Sequence, residues 1–224
     1  MAVMRGFPPP ADQRPTPANW DRHPFTSWSF RNMRRLFPTA GISRGTGPVW
    51  DLPRAQQSLD ALAFRRAGGE ETTVGALLDA SHTDGFLVLH RGRIVFERYG
   101  NGLVEDGIHL AMSVTKSFVA TLLGLVEAQG ILAIDDPVTR FVPELERSAY
   151  RGATIRHLLD MQSGVRFNED YTDPVSDAAR IDWAMGWKPL PAGETGLSLY
   201  ELGRSLPVAE PEPGAALRYR SIET

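Results

Sequence analysis

The sequence predicts an α+β fold from three observations: two apolar runs split by a tight turn, a long block of short helical patterns behind them, and no further convincing strand. The runs lie in GFLVLHRGRIVFERYG, where Phe86 to His90 and Arg93 to Tyr99 flank Arg91-Gly92. β-Branched and aromatic residues on both sides of a glycine-containing turn specify an antiparallel hairpin. A lone hairpin is marginally stable in water, so other strands are expected to complete its sheet.

Before the hairpin, nine of the 17 prolines fall within residues 1–53, together with Trp20, Trp28 and Trp50. Disordered segments are poor in aromatics, so residues 1–55 are expected to form an irregular arm packed on a body spanning 56–224. SLDALAFRRA (58–67) carries a short helical pattern, and TVGALLDAS (73–81) another, with Thr72 or Thr73 available as its cap.

After the hairpin, LAMSVTKSF opens a helix: apolar residues at 114, 118, 119, 122, 125 and 126 follow helical spacing, and Gly130 is placed to end it. Ser113 therefore belongs to the first turn. Residues 130–210 read as short helices and turns, in DDPVTRFVPEL (135–145), TIRHLLDMQSG (154–164), DAARIDWAMGW (177–187) and LSLYELGRSLPVAE (197–210). PGAALRYRSIET then leads toward a helix that has just begun.

Composition narrows the function classes. A chain of 224 residues, 42% hydrophobic and 23% charged, suits one large domain or two small ones. A net charge of -3 and a pI near 6.0 give no footing for nucleic acid or an anionic membrane. With no cysteine there is no disulfide, thiolate nucleophile or Cys-based zinc site. Histidines 23, 82, 90, 109 and 157 show no metal-binding spacing, and no Gly-rich phosphate loop occurs, so neither metal nor cofactor is expected. The opening MAVMRGFPPPADQRPTPANWDRHP lacks the apolar core of a secretory signal. FVATLLGLV (118–126) is far short of the ~20 residues that span a bilayer. The expected location is cytoplasmic.

Two serine motifs compete. GISRG (41–45) matches Gly-x-Ser-x-Gly, which needs a strand before the serine and a helix directly after it. LFPTA precedes Ser43 and TGPVWDLP follows, so a polar turn is the better reading. The other motif is Ser113-x-x-Lys116, of which about 0.12 copies are expected by chance at this composition. Residues i and i+3 share one helix face, so the Lys116 amine can reach the Ser113 hydroxyl. A serine hydroxyl is a weak nucleophile until a base takes its proton, and a lysine can be that base whereas an arginine cannot. The chain holds 22 arginines and only two lysines, Lys116 and Lys188, which marks Lys116 as a residue chosen for its ability to lose a proton.

These segments carry a resemblance. TDGFLVLHRGRIVFERYGNG, LAMSVTKSF, TIRHLLDMQSGVRFNEDYTDP and GAALRYRS together resemble the serine β-lactamase-related hydrolases, and within them the 6-aminohexanoate-dimer (nylon-oligomer) hydrolases. The group also includes class C β-lactamases, D-alanyl-D-alanine carboxypeptidases and family VIII carboxylesterases. The resemblance implies a β-lactamase/transpeptidase-like fold, an antiparallel sheet with helices plus a helical subdomain, in which Ser113 is acylated. Lys116 would share proton transfer with Tyr219 of the Tyr-x-Ser motif YRS, whose third residue is Ser221. It also implies substrate-binding roles for Tyr171, Asp182 and Ser221. Asp182 would suit the free amino group of an aminohexanoate oligomer by charge pairing. Read alone, Tyr219 and Tyr171 would be packed aromatics and Asp182 a solvated helix carboxylate.

Relatives of this kind continue past the tyrosine motif, through further strands, a Lys-Thr-Gly-like motif and the second oxyanion donor. The expectation is that the 224 residues are the N-terminal part of a longer protein, with an incomplete sheet. The expected function is cleavage of an amide or ester through an acyl-enzyme on Ser113. The alternatives are a carboxylesterase, β-lactamase or D-amino-peptidase of the same family, or an inactive relative that recognises penicillin. The expected partner is a small-molecule amide or ester substrate, with no nucleic acid and no membrane, while a homodimer stays open.

Overall fold

Trp20 is 1% exposed, its indole enclosed by Phe30 and Phe37 at ring-centroid distances of 5.8 and 5.3 Å. Around it the chain forms two four-residue helices, α1 (Thr26–Ser29) and α2 (Met33–Leu36). The buried Ser29 hydroxyl reaches the carbonyls of Trp20 and Phe25. Burial of so large an aromatic supplies the anchor that this proline-rich stretch otherwise lacks. The computed structural model describes residues 3–207 and 210–224, in two compact units, Met1–Leu110 and Ala111–Thr224.

The helix expected at 58–67 is not formed. Instead β1 (Ala63–Arg65) pairs antiparallel with β2 (Glu71–Thr73), Phe64 opposite Thr72. A ten-residue segment is too short to hold a helix by itself. Gly69, at φ +86°, lets the chain turn back, and Arg65 and Arg66 pair with Glu71 and Glu70 across the ribbon. Thr73 then caps α3 (Val74–Ala80), its hydroxyl accepting from the Ala76 N–H at 3.2 Å.

The hairpin forms as expected, β3 (Gly85–His90) against β4 (Arg93–Tyr99) with a bulge between Val88 and Leu89. Arg91 and Gly92 both take positive φ, 50° and 74°, the pair of left-handed residues that a two-residue turn needs to match strand twist. Ile94, Val95 and Phe96 of β4 are buried. The free edge of β4 meets extended chain running parallel to it: Ile94 N–H donates to the Pro53 carbonyl at 3.0 Å, and Ala55 N–H to the Ile94 carbonyl at 2.8 Å.

In the second unit, a 3-10 turn at Met112–Val114 runs into α4 (Thr115–Ala128). Gly130 ends this helix in a Schellman arrangement. At φ +72° its N–H donates to the Glu127 carbonyl at 2.8 Å, while Ile131 N–H reaches the Val126 carbonyl at 3.3 Å. The chain continues through α5 (Val138–Phe141), a 3-10 turn at Pro143–Arg147, α6 (Ile155–Leu159), α7 (Asp177–Ala184) and α8 (Leu199–Ser205). Thr154, Ser176 and Ser198 cap α6, α7 and α8, each hydroxyl accepting from the N–H three residues on. The helical segment expected at 197–210 crosses residues 208 and 209, which lie outside the described residues, as do residues 1 and 2 of the expected arm. The last turn, Ser221–Glu223, is 3-10.

Ala149, Tyr150, Val165 and Leu206 form the core of this unit. α4 contributes nothing to it: none of its residues is buried, and Phe118, Leu122 and Leu125 are 66%, 60% and 56% exposed. Among the described residues no helix is long and apolar enough to cross a membrane.

Candidate active site

Ser113 sits in the 3-10 turn before α4, directly after Met112, whose φ of +46° is a left-handed conformation costly to a non-glycine residue. Lys116 follows one turn later on the same face, and its Nζ lies 3.2 Å from Ser113 Oγ. Ser43, by contrast, lies in irregular chain with its Oγ accepting from Gly45 N–H at 3.1 Å, without a strand before it or a helix after it.

Tyr219 arrives on an extended segment held by the turn at Met161–Gly164. Arg218 N–H donates to the Met161 carbonyl at 2.9 Å, and Gly214 N–H to the Gln162 carbonyl at 2.8 Å. Under the segment the Arg220 guanidinium, 2% exposed, donates to Glu223 at 3.2 Å and to the Arg218 carbonyl at 3.1 Å. Ser163 donates to the same Glu223 carboxylate at 2.5 Å, and burial pushes that carboxyl up. Arg220 and Glu223 therefore face inward while Tyr219 and Ser221, the alternate positions, face outward.

The outward pair meets the Ser113 turn. Tyr219 Oη donates to Ser113 Oγ at 2.5 Å, the Lys116 ammonium lies 5.1 Å from the Tyr219 ring centroid, and Lys116 Nζ reaches Ser221 Oγ at 3.4 Å. Burial pushes the Tyr219 phenol up. Hydrogen bonds with Ser113, Lys116 and Ser221, together with the charge on Lys116, outweigh it and leave the group below the ordinary value of 10.0. The stem of Lys116 lines an apolar groove of about 350 Å³ with Val119, Leu123, Phe141 and Leu158.

Tyr171 comes from the loop between α6 and α7, which is pinned by its own side chains. Asn168 N–H donates to Asp177 at 2.9 Å, Asp170 N–H to Asn168 at 3.0 Å, and Thr172 N–H to Asp170 at 2.8 Å. Tyr171 Oη lies 3.4 Å from Ser221 Oγ and donates to Glu169. Burial and then this bond push its phenol up to about 12. Glu169 is the residue that the sequence reading missed: its carboxylate also accepts the Ser221 N–H at 2.9 Å and the Ser221 hydroxyl at 2.5 Å.

Five of the six expected site residues, Ser113, Lys116, Tyr219, Ser221 and Tyr171, thus share one continuous set of contacts. The sixth is Asp182. It lies on α7, its backbone carbonyl accepting from Trp187 and Lys188. Among the described residues no group of three or more His, Asp or Glu is arranged to hold a metal ion.

Comparison with known proteins bears on this arrangement. A 6-aminohexanoate-dimer hydrolase of Paenarthrobacter ureafaciens is 37% identical over 182 residues, 81% of this chain and 45% of its own length. Esterase EstB of Burkholderia gladioli is 34% identical over 113 residues, 49% of this chain and 29% of its own. A Bacillus anthracis protein solved as a candidate 6-aminohexanoate-dimer hydrolase superposes with a TM-score of 0.81 at 26% identity, covering 93% of this chain and 54% of that one. The fold is therefore β-lactamase/transpeptidase-like, and the chain spans about half the length of the first of these curated relatives and of the solved chain. The match to the Beta-lactamase family runs over residues 71–222, enclosing Ser113, Lys116 and Tyr219, and the chain belongs to that family.

Proposed function

We propose that the protein is a serine hydrolase that cleaves an amide or ester through an acyl-enzyme on Ser113. The observation that carries this reading is the placement of two proton-transfer groups on one hydroxyl: Lys116 Nζ at 3.2 Å and Tyr219 Oη at 2.5 Å from Ser113 Oγ. Both distances lie within the reach that general acid–base catalysis requires.

In the proposed cycle Ser113 Oγ bonds to the substrate carbonyl carbon while its proton passes to the Lys116–Tyr219 pair. The tetrahedral intermediate then breaks its bond to the leaving nitrogen or oxygen, which collects that proton and departs. Water repeats the sequence on the acyl-enzyme, giving up one proton to the pair and releasing the acid as Ser113 recovers its own. Tyr219 suits the exchange because its phenol is held below the ordinary tyrosine value.

The proposed substrate is an amide of the aminohexanoate-dimer type, supported by the relative that is 37% identical over 81% of the chain. Tyr171 and Asp182 would bind it, Tyr171 from beside Ser221 and Asp182 by charge pairing with a free amino group. A carboxylesterase is the second reading, supported by the likeness to Esterase EstB. A cytoplasmic location belongs to the same proposal.

Intact-mass analysis after treatment with a fluorophosphonate probe tests the nucleophile. One adduct is expected, absent from Ser113→Ala, and labelling that survives this change sinks the assignment. Turnover of 6-aminohexanoate dimer favours the amidase reading; turnover confined to short-chain esters favours the esterase.

A further inference from the structure

We propose that Glu169 is a positioning residue of the Ser113 site, acting through Ser221 to orient the Lys116 amine; this rests on the serine-hydrolase reading above. The Glu169 carboxylate grips one residue with both oxygens, accepting the Ser221 backbone N–H at 2.9 Å on one and the Ser221 hydroxyl at 2.5 Å on the other. The second oxygen also accepts from Tyr171. The gripped hydroxyl lies 3.4 Å from Lys116 Nζ, which lies 3.2 Å from Ser113 Oγ. A row of contacts therefore runs from Glu169 to the proposed nucleophile.

The direction of each hydrogen bond follows from counting protons. A serine hydroxyl carries one proton and an ionised carboxylate only accepts, so the Ser221 proton goes to Glu169 in a charge-assisted bond. Toward Lys116, Ser221 can then only accept, and the lysine must turn an N–H to it. In the form that takes the Ser113 proton the Lys116 ammonium has first given one up, which leaves two N–H bonds and one lone pair. With an N–H committed to Ser221, the lone pair is left for the Ser113 proton. A glutamine at 169 would offer an N–H to Ser221 instead, freeing the Ser221 proton to compete with Ser113 for that lone pair.

The test combines Glu169→Gln, Ser221→Ala and the double variant, each checked for an unchanged far-ultraviolet circular dichroism spectrum. In each single variant the maximal rate of Ser113 labelling by a fluorophosphonate is expected to fall about tenfold to a hundredfold, the scale of a misplaced reacting group. The probe concentration giving half-maximal rate should stay put. The double variant should be no slower than the slower single one, because both changes cut the same row. Carbon-13 labelling of the two lysines adds a readout that needs no reaction: the Lys116 signal should move in both single variants and the Lys188 signal in neither.

Multiplicative losses in the double variant, an unchanged labelling rate in Glu169→Gln, or a Lys116 signal that does not move would each overturn the proposal. Labelling that persists in Ser113→Ala while the Lys116 signal still moves would sink the nucleophile reading and leave the Glu169–Ser221–Lys116 contact standing.

Discussion

Tyr219 and Ser113 stand 106 positions apart in the chain, and their hydroxyl oxygens lie 2.5 Å apart. The first comes from an extended segment pinned on a turn, the second from the mouth of a helix. Nothing in the spacing of either residue demands the other. Their meeting makes each a probe of its partner.

The five tyrosines give a direct titration of that contact. Tyr99 and Tyr171 are pushed up to about 12, Tyr150 is raised by burial, and Tyr200 is raised by its bond to Glu144, whereas Tyr219 alone is lowered. A lowered phenol releases its proton first as pH rises. Phenolate absorbance of the folded chain should show a one-tyrosine step below pH 10.0, followed by the others above it. Tyr219→Phe should remove the first step and leave the rest; a first step that remains in that variant disproves the assignment.

Gly164→Ala should loosen the tyrosine segment from a distance. A Cβ at Gly164 would lie 2.0 Å from the Pro211 carbonyl oxygen, and the residue sits at φ +78°. The left-handed backbone alone costs an alanine about 1–2 kcal/mol, and the collision forces the 210–214 chain away from the turn. Thermal denaturation should show a loss larger than that backbone figure, and Ser113 labelling should slow with it. Wild-type stability in Gly164→Ala would show that the turn does not support the segment.

The hairpin and the Ser113–Lys116 pair were legible because their signals are local: a glycine turn between β-rich runs, and a three-residue step on one helix face. β1 and β2 were not, because strands of three residues hold too few positions to display a period, and residues 58–67, which include β1, read as a helix instead. Tyr219 and Ser221 were found only through a resemblance, since two alternate positions on an extended segment have no chemistry until the helix mouth faces them. Glu169 escaped because it sits among Asp170 and Asp173, where a carboxylate reads as solvated loop, and its partner Ser221 is 52 positions away. Arg220 and Glu223, three apart and charged, form a buried pair that no local pattern in the sequence marks.

The exposed face of α4 predicts how this chain behaves alone. Phe118, Leu122 and Leu125 present apolar side chains on one helix, next to the groove lined by Val119 and Leu123. Exposed patches of this kind bind apolar dyes and other chains. The 224-residue chain should enhance the fluorescence of an anilinonaphthalene dye and self-associate with concentration on size exclusion. Replacing Phe118 and Leu122 by Gln should reduce both while keeping helical ellipticity. Equal dye binding by the replaced chain would mean that the dye reports some other surface.

Lys116→Arg separates charge from proton transfer. Arginine keeps a cation near the Tyr219 ring, where the ammonium now lies 5.1 Å from the centroid, and can still donate to Ser221. It cannot give up its proton at any accessible pH, so it cannot take one from Ser113. If Lys116 serves as the base, labelling of Ser113 should fall about 10²–10⁴-fold, the usual contribution of a positioned acid or base. Raising the pH should not restore it. A rate within a few-fold of wild type would show that Lys116 supplies only a positive charge, and the proton would then have to leave through Tyr219 alone.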